Sequence, residues 1–219
     1  MVQRIGHRKW WPADTPLEVC VGAILTQNTN WGNVRRAIQN LKDGVGLDAR
    51  KLFALPEAHL AELIRPAGYF NVKARRLRSF LRVLVEEFDA DLSRLFAGET
   101  ALVRQRLLDI HGIGPETADS MLLYAGGHHS FVIDAYTQRI FQRHGWMPKR
   151  RKGNSHYEAL KALCESALNH KPSEERLDYW QDFHAQLVGV GNRFCRTRQP
   201  QCDECPLRTL LPEKLKAKC

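Results

Sequence analysis

Apolar residues recur at three- and four-residue spacing along most of the chain, which predicts one α-helix after another. Residues 52–64, 74–88, 101–110 and 157–167 all carry the pattern, and Leu77, Phe80, Leu81, Leu84 and Phe88 form one continuous stripe. Helix-start signals agree with it: Thr15-Pro16, Thr100 and Pro172-Ser173 each stand before an apolar-periodic segment. Short breaks at 43–46, 66–68 and Gly126-Gly127 separate the helices, and only residues 130–133 read as β-like. The basic run Lys149 to Lys152, followed by Gly153 and Asn154, reads as a surface loop. The fold class expected is all-α.

Length and composition narrow the picture. A chain of 219 residues with 43% hydrophobic and 26% charged residues can bury a core and is no disordered tail. The longest apolar run, Val19 to Leu25, is far short of the about 20 residues a membrane span needs. The basic N-terminus has no apolar stretch behind it, so no secretory signal is visible and a reducing, cytoplasmic compartment is expected. Lys plus Arg number 33 against 24 Asp plus Glu, a net charge of +9. Such an excess favours a polyanionic partner, most often nucleic acid, although a merely basic enzyme looks the same.

The most informative stretch is LLDIHGIGPETADSMLLYAGG, residues 107–127. A helix is expected to end near Ile110 and a second to begin near Pro115, a residue suited to a first helical position. Gly112 and Gly114 between them allow positive φ and close approach of another backbone. Ile113 can tuck back between the helices. Backbone N–H groups at the new helix start then make a seat for a DNA phosphate, with Gly112, Ile113, Gly114 and Thr117 as the contact residues. A plain helix–turn–helix corner with a glycine cap is the blander alternative. The longer pattern, an apolar-x-G-apolar-G-x-x-[ST]-A run, favours the phosphate seat.

With its flanking segments this stretch resembles the helix-hairpin-helix DNA glycosylase superfamily, in its endonuclease III branch. The resemblance spans roughly residues 16 to 205. ILTQNTNW (Ile24 to Trp31) is similar to the family's early helix end, GYFNVKARRL (Gly68 to Leu77) to its G-x-Y/F-N-x-K-A segment, and VIDAYTQRI (Val132 to Ile140) to its V-D-x-x-x-x-R-[VI] motif. The resemblance implies a six-helix barrel, residues 17–128, packed on a second helical domain built from residues 1–16 and 129–219. It implies a monomeric, nucleoid-associated enzyme that acts on double-stranded DNA containing damaged bases.

Asp134 is the candidate catalytic residue. Read locally it is an N-cap for a helix over 135–143, and the two roles are compatible. The resemblance places the superfamily's catalytic carboxylate here. Breaking an N-glycosidic bond builds positive charge at the sugar, and a fixed carboxylate stabilises it or orients water. Bifunctional relatives carry a lysine two residues after the second hairpin glycine, whose amine forms an imine with the sugar. This chain has Glu116 there. A carboxylate forms no imine, so lyase activity is not expected unless another amine, such as Lys73, supplies it. The combination looks most like the 3-methyladenine DNA glycosylase III subgroup, which is monofunctional and removes alkylated purines. Gln27, Trp31 and Glu116 are the residues expected at the lesion: Gln27 to fill the gap left by a flipped nucleotide, or else simply to cap a helix end. Trp31 and Glu116 would take a cationic base by stacking and charge, although Trp31 can equally be core. A non-catalytic helix-hairpin-helix DNA-binding module is the competing class; it has no need of Asp134.

Of six cysteines, Cys20 and Cys164 sit in apolar helical stretches as core residues. Cys195, Cys202 and Cys205 repeat the first three positions of the branch's C-x6-C-x2-C-x5-C loop, which in relatives binds a 4Fe-4S cluster. The fourth position is Leu211, which leaves Cys219 as the remaining candidate ligand. Zinc fits four thiolates on local chemistry, and a loop without metal is the third possibility. A cluster here would be structural, bracing a loop whose Arg193, Arg196 and Arg198 face DNA.

Overall fold

The computed structural model describes residues 1–8, 10–149 and 155–213. Twelve α-helices and no β-strand occur among the described residues. Residues 130–133 belong to no helix or strand, and no strand among the described residues is there to pair with them. Two compact units emerge: residues 13–130, and residues 1–12 with 131–219. The run from Arg150 to Asn154 and Cys219 lie outside the described residues.

In the unit 13–130, helix α2 (Pro16–Leu25) is the central element. Every residue from Glu18 to Leu25 is buried in it, which is why its sequence is an unbroken apolar run rather than an amphipathic one. Thr15 starts it: its hydroxyl accepts the Glu18 N–H at 3.2 Å, with Pro16 in the first turn. Around it stand α3 (Trp31–Gly44), α4 (Ala49–Ala54), α5 (Glu57–Leu63), α6 (Phe70–Glu86), α7 (Leu92–Leu95), α8 (Thr100–Leu108) and α9 (Pro115–Tyr124). Helix α2 packs on α3, α6 and α9, while α6 packs on α4 and α5.

The stripe on α6 is the core face: Leu77, Phe80, Leu81 and Leu84 are fully buried. Each such side chain contributes about 1.5–3 kcal/mol by leaving water. Phe88 falls beyond the helix end, half-buried, with the Arg106 guanidinium 5.1 Å from its ring centre. The single helix expected over 52–64 is broken in two. Pro56 forces its predecessor out of the helical region, and Leu55 has ψ 141°. Thr100 is the first residue of α8 rather than its cap; Glu99 takes the cap position.

The other unit holds α1 (Val2–Ile5), α10 (Ala135–His144), α11 (His156–Leu168) and α12 (Ser173–Arg193). Helix α10 packs closely on α12. Gly191 makes that contact possible, because a Cβ there would lie 2.5 Å from Tyr136 Cδ1. The N-terminal segment is sewn to α12 by polar bonds: Arg8 N–H donates to Asp182 at 2.7 Å, and Gln186 Nε2 donates to the Gly6 carbonyl at 2.6 Å. At the far end of α12, two arginines one helical turn apart on α10 hold the emerging chain. Arg139 donates to the Gly191 and Cys195 carbonyls, and Arg143 to those of Arg196 and Thr197. These carbonyls have no helical donor of their own, so the guanidinium groups satisfy them and fix the cysteine loop.

Candidate functional site

The hairpin forms where the sequence places it, between α8 and α9, but its two glycines do different work. Gly112 has φ +91°, and a Cβ there would lie 2.2 Å from Arg76 Cγ. It is required by both backbone conformation and space. Gly114 has φ −94° and ψ 177°, ordinary extended backbone, and nothing lies within 4 Å of where its Cβ would be. It is exposed and caps α9 without any side-chain bond to the helix start. Ile113 is buried and its N–H donates to the Ile110 carbonyl at 3.1 Å, closing the turn inward.

Gln27 reaches this turn from just beyond α2. Its Nε2 donates to the Gly112 carbonyl at 3.2 Å and to the Thr117 hydroxyl at 3.0 Å, while its Oε1 accepts from Arg76. The Thr117 hydroxyl therefore faces the protein, buried behind the hairpin. Asn28, next in the chain, is exposed with φ 54°, so the chain turns sharply outward there. Trp31 is half-buried at the first position of α3, and Glu116 is exposed in the first turn of α9.

Lys73 is a buried cation, 2% exposed. Its Nζ donates to the carbonyls of Leu25 at 2.9 Å and Ala67 at 2.7 Å. Leu25 ends α2, where carbonyls lack helical partners and the helix dipole is negative, so the ammonium caps the helix that leads to Gln27. Burial, with the Arg76 charge as a smaller cause, pushes the Lys73 amine down to about 8.

In the other unit, Asp134 caps α10: its Oδ1 accepts the Thr137 N–H at 2.7 Å. The side chain keeps 13% of its surface, and Oδ2 lies 3.8 Å from Nε2 of His184. His184 is on α12, buried, with its ring edge-on to Phe131 at 6.1 Å. Burial pushes its imidazole below the ordinary histidine range, opposed by the Asp134 charge. The sequence reading missed His184, which carries no motif of its own.

Cys195, Cys202 and Cys205 line one cavity with Arg143, His144, Phe194 and Leu211. Arg143 Nη1 lies 3.3 Å from the Cys195 sulfur. Leu211 is buried in the wall at the position where the spacing calls for a fourth cysteine. No three His, Cys, Asp or Glu side chains among the described residues converge on one point as ligands of a single ion. Cys20 and Cys164 are buried core thiols, both shifted upward by burial, Cys164 to about 12.

Comparisons with known proteins bear on these sites. The family model described as HhH-GPD superfamily base excision DNA repair protein matches residues 21–167. A Methanocaldococcus jannaschii protein, whose name marks it as a candidate DNA repair glycosylase, is 44% identical over 204 residues, 93% of this chain and 88% of its own. Endonuclease III of Thermotoga maritima is 28% identical, covering 88% of this chain and 81% of its own. Among solved structures, H. pylori 3-methyladenine DNA glycosylase bound to 1,N6-ethenoadenine superposes with a TM-score of 0.67 at 28% identity, over 84% of this chain and 88% of that one. A non-covalent endonuclease III–DNA complex gives 0.73 at 22% identity, over 94% and 86%, a likeness of fold.

Proposed function

We propose, on the premise that this chain belongs to the HhH-GPD superfamily of base excision DNA repair proteins, that it is a monofunctional DNA glycosylase for alkylated bases with Asp134 as its catalytic carboxylate. The observation that carries this reading is the division of labour within Asp134. One oxygen is fixed by the Thr137 N–H, and the other stands outside hydrogen-bond range of His184 at 3.8 Å. A carboxylate held by one oxygen keeps its orientation while the other is left for the reaction. Positive charge that develops at the sugar as the base departs is stabilised there, or an attacking water is oriented.

Duplex DNA binds, on this reading, through the N-terminus of α9, whose cap residue Gly114 makes no side-chain bond to it. The Gly114 surface lets a phosphate approach without meeting a side chain. The exposed basic residues Arg193, Arg196 and Arg198 add counter-charge. Gln27, Trp31 and Glu116 are assigned to the lesion. Gln27 must exchange its bonds to Gly112 and Thr117 for DNA if it is to enter the duplex. The alkylated-base reading is supported by the relative that binds 1,N6-ethenoadenine and by Glu116, an acid suited to a cationic purine.

The monofunctional reading is supported at two residues. Glu116 has no amine, and the Lys73 amine is bonded to two backbone carbonyls and 2% exposed. An imine forms only from a free, accessible amine. The cysteine loop fits a 4Fe-4S cluster held by Cys195, Cys202 and Cys205 with a fourth ligand; when bound, the cluster braces the loop and carries no step of base release.

The test is a panel of duplexes, each with one defined lesion, incubated with the protein and analysed with and without alkali. Release of an alkylated purine, with strand breaks only after alkali, is the expected result. Breaks without alkali, or borohydride trapping of a protein–DNA adduct, overturn the monofunctional assignment. No base release from any lesion duplex that the protein binds leaves the non-catalytic module as the reading.

A further inference from the structure

A buried histidine shares the cysteine cavity. His144, the last residue of α10, lines the cavity together with Cys195, Cys202 and Cys205. Its ring is buried, 5% exposed, and its two nitrogens are in different situations. Nδ1 lies 2.8 Å from the Ile140 carbonyl. A carbonyl only accepts, so Nδ1 carries the proton and Nε2 carries the lone pair. Nε2 is buried and meets no hydrogen-bond partner among the described residues. A buried lone pair left unmet is unfavourable, and here it shares a cavity with three thiols able to bind metal.

The geometry is that of a metal-binding imidazole. A ligating histidine donates its far N–H to a carbonyl or carboxylate, which fixes the tautomer and aims the free nitrogen. The ring is also held from the side, with the Trp146 ring centre 4.3 Å away and 31° from parallel. Among the described residues that line the cavity, Leu211 stands where the loop spacing expects the fourth donor, and a leucine offers none. We infer that His144 Nε2 is the fourth protein ligand of the group held by Cys195, Cys202 and Cys205, giving a Cys3His site. The inference rests on the cluster reading of the cysteine loop and departs from the assignment of Cys219 as the fourth ligand.

One consequence is electrostatic. An imidazole is neutral where a thiolate is charged, so this cluster carries one negative charge fewer than a four-thiolate one. Replacing thiolate by imidazole raises a cluster's reduction potential. Arg143, 3.3 Å from the Cys195 sulfur, acts in the same direction by stabilising the more negative, reduced state.

The experiment uses the full chain, purified anaerobically from cells grown on 15N-histidine, with iron, sulfide and zinc measured per chain. Pulsed paramagnetic resonance of the reduced protein is expected to show 15N coupling from one directly bound nitrogen. Cys219→Ser is expected to keep about four irons per chain, and His144→Leu to fall to about three, with a three-iron signal on oxidation. His144→Cys is expected to regain the fourth iron, lose the nitrogen coupling and show a lower potential. This conservative variant and the wild-type coupling keep the test decisive if His144→Leu does not fold. Iron-loaded wild type without nitrogen coupling overturns the assignment of His144 alone, and loss of iron in Cys219→Ser then identifies that residue as the ligand. Well-folded protein without iron, whether it binds zinc or nothing, overturns the cluster reading and the His144 ligand with it.

Discussion

The Nε2 of His184 stands 3.8 Å from the Oδ2 of Asp134, bringing a buried imidazole on α12 beside the N-cap carboxylate of α10. The pair is too far apart for a direct hydrogen bond but close enough for each charge to bias the other. Because burial lowers the His184 pKa, the ring stays neutral where an ordinary histidine begins to charge. Asp134 thus has a neutral imidazole rather than a cation as its neighbour on α12 near neutral pH.

That relationship gives a pH dependence with a definite sign. The folded state holds His184 below its unfolded pKa of about 6.5, so the unfolded chain binds more protons in the window beneath that value. Its contribution to stability is present above about pH 6.5 and lost as pH falls through the lower, folded pKa. Urea denaturation of wild type at pH 7.5 and 5.5 is expected to show a larger loss than the same comparison for His184→Gln. Equal losses in the two proteins would mean the ring is not held neutral by the fold.

Asp134→Asn keeps the size and the capping oxygen but removes the charge. The variant is expected to fold, with a Tm within a few degrees of wild type, since Asn is as good an N-cap as Asp. Loss of charge stabilisation costs about 3 kcal/mol, roughly a hundredfold in single-turnover base release. Unchanged base release would remove Asp134 from the chemistry.

The two hairpin glycines are expected to separate stability from DNA binding. Gly112→Ala places a Cβ 2.2 Å from Arg76 Cγ at φ +91°, so thermal denaturation should show a loss of about 1–3 kcal/mol. Gly114→Val meets open space and should cost the fold about 1 kcal/mol or less. It should nevertheless weaken duplex binding to all sequences alike and flatten the salt dependence, measured as affinity across a salt series. Full-strength binding by Gly114→Val would place the phosphate seat elsewhere.

Lys73→Met tests whether the buried amine is a structural cap. Two carbonyls lose their donor, so a destabilisation of about 1–3 kcal/mol is expected in urea, partly offset by relief of the buried charge. Borohydride should trap no adduct with either protein. Trapping by wild type that vanishes in Lys73→Met would make Lys73 a lyase nucleophile and overturn its structural role.

What the sequence determined by itself was local. The all-α class, the start of α9 at Pro115, the N-cap at Asp134 and the apolar face of α6 each follow from residues within a turn or two of one another. The break at Pro56 was equally local, and the three-residue periodicity on either side masked it. Tertiary structure alone decided which distant groups meet. The Lys73 ammonium against the last carbonyl of α2, Gln27 on Thr117, His184 beside Asp134 and His144 in the cysteine cavity all join residues from different helices or loops. None of these pairings has a periodicity, because a single Lys, Gln or His reads the same on a surface as in a core. Packing decides which partners each polar group meets, by removing water as an alternative and bringing groups distant in sequence within reach.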